Sequence, residues 1–192
     1  MSTCPCDYLE KKYPFEREKN IVFDDSYDEE KGTARHDYYI NGDKSNIISV
    51  TTIIHENFGH FDADKIIAKI MKGSKYKNDP DYKYYQLKPQ TIKKMWDDNR
   101  DDAATRGTAM HLHIEQFYNQ YPFEDDTVEF KQFMEFHTVA QEEGLEAFRT
   151  ELVVYDEYYR IAGSIDMLFK DREGRIWIYD WKRSKEFKFD NR

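Results

Sequence analysis

A chain of 192 residues with 39% hydrophobic and 16% aromatic content can bury one core, or one core with a helical appendage. A formal net charge of −9 and a mean hydropathy of −0.95 argue against broad nucleic-acid coating, and no apolar run approaches the length of a membrane span. Residues 1–7 lack the basic flank and apolar stretch of a secretory signal; Cys4 and Cys6 are too close to staple a fold and too few for an iron–sulfur cluster, so free thiols in a reducing, intracellular compartment are expected.

In chain order, residues 1–35 are charge-dense, with an acidic run over 24–30, and read as extended or loosely attached. Residues 36–40 and 47–50 flank Asn41-Gly42, a hairpin pattern. Thr51 or Thr52 can cap a short helix through Ile53, Ile54 and Phe58. Asp62 caps a clearer helix, with Ile66, Ile67 and Ile70 on one face and Gly73 as its stop; residues 74–88 are irregular and aromatic. Pro89 opens a helix that runs past Trp96, and a separate helix covers 108–118, ended by Pro122. A further helix spans 127–143 with Phe130, Phe133, Met134, Phe136 and Val139 as apolar positions and Gly144 as its stop. Three β-runs follow, at 148–155, 159–169 and 175–182. Helices followed by a β meander predict an α/β fold of the α+β kind with a mixed sheet. Residues 1–104 form an N-terminal extension with a helical, basic–aromatic region, and 105–192 the helix plus meander, together one structural unit.

Between Lys65 and Arg100 ten basic residues face four acids, a local +6 in an acidic chain, interleaved with Tyr76, Tyr82, Tyr84, Tyr85 and Trp96. Such a strip can hold a phosphate backbone and stack bases, or it can be a solvated helical surface with aromatic anchors. Taken alone it favours the solvated surface.

The last two β-runs flank a polar loop ending in Gly174, a hairpin signal. With Arg172-Glu173-Gly174 as the loop, Asp166 faces Asp180 and Ser164 faces Lys182, with opposed Cβ atoms about 5 Å apart. Two carboxylates that close require a proton or a cation, and a divalent metal ion is the expectation. Both faces of these strands are apolar, so the sheet is expected to be covered on both, with Asp166, Asp180 and Lys182 largely buried rather than paired on an exposed edge. A turn near 156–159 pairs Glu151 with Ser164 on the Asp166 face; a one-residue slip removes it, so Glu151 is an open member of the site. Upstream, His111 and Glu115 lie at i, i+4 on one helix face and can present an imidazole and a carboxylate to one cation, although such pairs are also common on solvated helices. His113 lies on another face and reads as a surface or packing histidine.

The ordered set Gly107-x-x-x-His111-x-x-x-Glu115, Gly163-Ser164-Ile165-Asp166 and Asp180-Trp181-Lys182 resembles the RecB-type branch of the PD-(D/E)XK nuclease superfamily, over residues 105–185. The resemblance implies a PD-(D/E)XK nuclease-like core in which His111, Asp166 and Asp180 are metal ligands, Lys182 is the catalytic lysine and Glu115 is the acid of the helical motif. It implies a Mg²⁺- or Mn²⁺-dependent deoxyribonuclease. Residues 48–53 are similar to the Ser-Val-Thr segment of mitochondrial genome maintenance exonucleases, single-strand exonucleases of this branch. That favours an exonuclease acting on single-stranded DNA or DNA ends over two alternatives, a structure-specific endonuclease of the same fold and an inactive nuclease-like nucleic-acid-binding module. Candidate nucleic-acid contacts are Lys93, Lys94, Trp96, Arg100, Arg106 and Arg183. The family continues past its lysine with a helix carrying Gln and Tyr, and often one more strand; here the sequence ends at Arg192, so a fragment or a trimmed core is expected, and the four-cysteine cluster of some relatives is missing. Phosphodiester hydrolysis needs an activated water, neutralised phosphoryl oxygens and a stabilised leaving oxygen, which divalent cations supply. Carboxylates suit Mg²⁺ or Mn²⁺, and a histidine shifts the balance towards Mn²⁺.

Overall fold

A computed structural model describes residues 7–30, 32–59 and 61–184. Its centre is a mixed four-stranded sheet: β6 (Glu146–Asp156), β7 (Ile161–Lys170) and β8 (Ile176–Tyr179) form an antiparallel meander, and β5 (Ile48–Ser49) joins β7 in parallel. β6 covers one edge of β7. On the other edge β5 pairs at Ile161–Ala162 and β8 at residues 167–170, which leaves β7 without a ladder partner there over residues 163–166 among the described residues. The β7–β8 turn follows its sequence chemistry: Gly174 takes the left-handed φ of 82° that it adopts without a Cβ penalty, and Met167 pairs with Tyr179. The strand then stops. Asp180, Trp181 and Lys182 lie outside the ladder, so the third β-run is shorter than expected.

Two helices pack on the sheet, α5 (Pro89–Tyr118) and α6 (Val128–Glu142). Ile114, Tyr118, Phe133, Met167 and Phe169 make the main core with Leu9. α5 is one helix of 30 residues, about 45 Å long, where two were expected. No proline interrupts it after Pro89 at N1, a single mid-helix glycine (Gly107) costs only ~1 kcal/mol, and the Lys94–Asp98 and Asp97–Arg100 pairs stitch its exposed turns. α6 begins at the Thr127 cap, whose side chain accepts from the Phe130 amide. It ends in a Schellman motif, with the Leu145 amide donating to the Ala140 carbonyl and Gly144 at φ 78°.

The N-terminal segment is attached, contrary to expectation. α1 (Tyr8–Lys12) sends Leu9 into the main core at 3% exposure, and a 3₁₀ turn over Glu16–Asn20 carries Glu18 to the buried Arg149. The high charge density hid these few anchoring residues. β4 (Asp37–Ile40) pairs with β1 (Ile21–Asp24) and not with residues 47–50, because Asn41-Gly42 closes only a local Ile40–Asp43 bridge and the chain moves on into β5. β2 (Tyr27–Asp28) and β3 (Thr33–Ala34) form a small separate ribbon.

α2 (Val50–Asn57) is capped by Ser49, two positions before the nearer of the predicted caps, Thr51, and α3 (Ala63–Lys72) by Asp62. α3, the short α4 (Ser74–Asn78) and the start of α5 enclose a second core of Ile67, Tyr84 and Ile92, against which Tyr76, Tyr82 and Trp96 pack. Trp96 Nε1 donates to the Tyr84 hydroxyl at 2.7 Å. The result is a mixed α/β fold with a helical N-terminal layer. Coverage of both sheet faces fails at its edge: Ile176, Trp177 and Ile178 of β8 are 47, 47 and 70% exposed. Among the described residues, no helix is long and apolar enough to cross a membrane.

Candidate metal centre

Three elements bring His111, Glu151 and Asp166 together. His111 comes from the seventh turn of α5, Glu151 from the middle of β6, and Asp166 from β7 where that strand's outer edge has no ladder partner among the described residues. One ligand atom from each lies within 4.8 Å of the other two. His111 Nδ1 is 3.7 Å from both Glu151 Oε1 and Asp166 Oδ2. Oxygen ligands sit about 2.0–2.6 Å from Mg²⁺ or Ca²⁺, so two ligands on opposite sides of such an ion are about 4–5 Å apart. The spacing therefore admits a divalent cation, and two carboxylates with one imidazole suit Mn²⁺.

The backbone of Trp181 orients two of the three. Its carbonyl is 3.0 Å from His111 Nε2. A carbonyl only accepts, so Nε2 carries the ring proton and the Nδ1 lone pair of the neutral imidazole faces the carboxylates, the orientation a metal-binding histidine needs. The Trp181 amide donates to Asp166 Oδ2 at 2.7 Å. This turn of the chain explains why Asp180 is not in the cluster: at the level of Asp166, backbone meets the carboxylate where the extended ladder would have placed an opposing side chain. Asp180 instead pairs with Lys182 at 3.0 Å, the two side chains 60 and 76% exposed. The expectation of a buried Asp166–Asp180–Lys182 face is thus corrected to an exposed ion pair beside the cluster. The open member, Glu151, is in it.

Glu151 arrives by a different register than expected. The ladder pairs Val153 with Ser164, and it skips Glu151 between the Thr150–Met167 and Leu152–Ile165 pairs. This places Glu151 opposite Asp166 rather than Ser164; a two-residue shift keeps the sheet face, whereas a one-residue slip would not. Glu151 has φ 45°, a conformation that costs a non-glycine residue about 1–3 kcal/mol, and its Oε2 accepts from Ser164 Oγ at 3.2 Å.

The electrostatics ask for positive charge. Glu115, one turn along α5 from His111, is pushed up to about 7, by burial first and the Glu151 charge second. Burial also raises Asp166, against the opposing Trp181 amide and His111. The His111 imidazole is raised chiefly by the Glu151 carboxylate, with burial opposing and Asp166 adding. Protons thus collect where a cation would otherwise relieve the acids. For Glu115 the folded value lies above the unfolded one, so between about 4.5 and about 7 the folded state binds more protons and stability falls as pH rises. Thermal melts of the metal-free protein should show this decline, and Glu115→Gln should flatten it.

The nucleic-acid candidates are engaged with nearby groups. Lys93 pairs with Asp64 (3.4 Å), Lys94 with Asp98 (2.7 Å) and Arg100 with Asp97 (3.0 Å), all with exposed cations that exchange partners at little cost. Arg106 and Arg183 both bind Glu129, at 2.7 and 2.6 Å, and Arg183 is only 10% exposed. Trp96 is partly exposed and also packs on the second core. Arg183 is engaged in a part-buried pair that it would have to give up to reach a phosphate. His113 packs as expected, stacked on Phe123 with Nδ1 2.5 Å from Asp125 Oδ2. Sequence reasoning missed the Trp181 backbone and Glu129. A main-chain contact leaves no residue-type signal, and Glu129 reads as an ordinary first-turn acid.

No protein-family model, curated protein or solved structure matches the chain.

Proposed function

We propose that this protein is a Mg²⁺- or Mn²⁺-dependent DNA nuclease of PD-(D/E)XK-like architecture, with exonuclease action on single strands or DNA ends. The observation that best supports the reading is the convergence of His111, Glu151 and Asp166, with the imidazole lone pair turned inward by the Trp181 carbonyl. When bound, a divalent cation there supplies Lewis-acid polarisation of a phosphoryl oxygen and lowers the pKa of a water. Asp166 and Glu151 contribute the negative charge that holds it, and His111 the neutral nitrogen. Glu115, one helical turn from His111 on α5 and held towards its protonated form by burial in the metal-free protein, is the acid this reading assigns to exchange a proton with the attacking water. Lys182 is close by on the chain, and its exposed pair with Asp180 is weak enough to be exchanged for a phosphate oxygen. Asp180 in this reading flanks the site and adds to its negative potential, raising Asp166.

One observation favours a second reading, a nuclease-like module that binds without cutting: Asp180 and Lys182 point into solvent rather than into the cluster. Digestion of end-labelled linear and of circular single-stranded DNA with Mn²⁺ separates the readings. Loss of linear DNA with circles intact is the expected result; nicked circles would indicate an endonuclease, and binding without products the second reading. Lys182→Ala should reduce cleavage by about 10²-fold or more with DNA affinity little changed. Undiminished cleavage by that variant would remove Lys182 from the chemistry.

A further inference from the structure

We infer that Glu129 is a positioning residue for the His111–Glu151–Asp166 cluster, acting through Arg183 and the backbone of Trp181. Past Tyr179 the described residues of the segment, 180–184, join no ladder. It is held instead at two points on α6. The Trp181 ring packs against Phe133 and Phe136, with centroids 5.9 and 5.3 Å away. Two residues further on, Arg183 Nε donates to Glu129 Oε1 at 2.6 Å, and Arg183 Nη2 lies 3.6 Å from Asp102 Oδ2 on α5. Glu129 uses its second oxygen to accept from Arg106 Nη2 at 2.7 Å. One carboxylate, 12% exposed, thus ties both long helices to the segment that carries the Trp181 peptide.

The ring fixes where Trp181 sits; the arginine fixes which way its carbonyl faces. That direction matters because the carbonyl accepts a hydrogen bond from His111 Nε2, while the amide on the other side of the same residue donates to Asp166. If Arg183 is released, the backbone around Lys182 can rotate, the carbonyl leaves Nε2, and the neutral imidazole is free to carry its proton on Nδ1, the atom that faces the carboxylates. The part-buried Arg183–Glu129 pair resists this rotation, because separating it gives up a short charge-assisted hydrogen bond in a place with little solvent access.

The consequence for a cation rests on the proposed metal centre, but the consequence for the imidazole does not. Long-range ¹H–¹⁵N spectra of histidine-labelled protein at alkaline pH read the His111 tautomer directly. His113 on the same helix, with Nδ1 on Asp125, is an internal reference of the opposite tautomer. In the parent, His111 should be the Nε2–H form. Glu129→Gln and Arg183→Gln should each convert it to a mixture while His113 is unchanged, and the double variant should go little further than either. Mn²⁺ affinity, measured by calorimetry, should fall about tenfold or more in both. Arg183 leaves from an irregular segment, so Arg183→Gln carries the test if Glu129→Gln fails to fold. A folded Arg183→Gln protein whose His111 remains purely Nε2–H would overturn the inference. A parent protein that binds no Mn²⁺ would instead end the metal reading, with the tautomer result still deciding the role of Glu129.

Discussion

Asp166→Asn is expected to abolish Mn²⁺ binding and divalent-dependent cleavage together, while leaving the metal-free protein at least as stable as the parent. The substitution keeps the shape of the side chain and an oxygen for the Trp181 amide, now 2.7 Å from Asp166 Oδ2. It removes one of the acids gathered around His111, in a place where burial already disfavours the charge on Asp166. With the folded pKa above the unfolded one, ionised Asp166 lowers stability above the unfolded value, so a neutral amide relieves the fold rather than weakening it. The two effects separate in a thermal melt. At a Mn²⁺ concentration of about 100 times Kd, the parent should gain about 2.7 kcal/mol. For a chain of this size that is a rise in Tm of ~5–10 °C. Asp166→Asn should show no rise with Mn²⁺ and no loss without it. A variant that melts well below the metal-free parent would mean that Asp166 is a structural acid, held for its bond to Trp181 alone.

The second large effect lies away from the cluster. Arg149→Ala should destabilise the protein by about 3 kcal/mol, measured as a drop in the urea midpoint at unchanged slope. Arg149 sits on β6 at 3% exposure, donates to both oxygens of Glu18 at 2.5 and 2.6 Å, and donates to the Tyr13 carbonyl at 3.2 Å. Truncating it leaves a carboxylate only 24% exposed and a carbonyl without their partner. Glu18→Gln should cost less, about 1 kcal/mol, because the amide oxygen can still accept from the guanidinium. The clamp attaches the N-terminal segment to β6 within two residues of Glu151, so its loss should also weaken Mn²⁺ binding modestly. Equal stability of the alanine variant would show that α1 and the 3₁₀ turn contribute little to the core.

What could be read along the chain was local. Asp62 caps its helix, Gly144 terminates α6, Pro89 opens α5, and Gly174 sets the β7–β8 turn, because each depends on a few consecutive residues and their backbone preferences. The i, i+4 spacing of His111 and Glu115 and the β-run through Asp166 were legible for the same reason. The continuity of α5 was missed because its middle is polar and lacks an apolar stripe, while the apolar faces that hold it lie at its two ends. The N-terminal segment was misread because the contacts that attach it, such as Leu9 in the core and Arg149 on Glu18, join residues more than a hundred positions apart.

From the residues themselves came an acidic chain with a helix-borne imidazole, a strand-borne aspartate and a closing hairpin of definite register. Which acid completes the cluster was decided in three dimensions. A left-handed kink at Glu151 and the departure of the chain after Tyr179 bring Glu151 in and leave Asp180 out. Neither is encoded in side-chain alternation, which specifies only the face of a sheet; both follow from where, among the described residues, a sheet edge lacks a partner and from one residue, Trp181, whose carbonyl accepts from His111 and whose amide donates to Asp166.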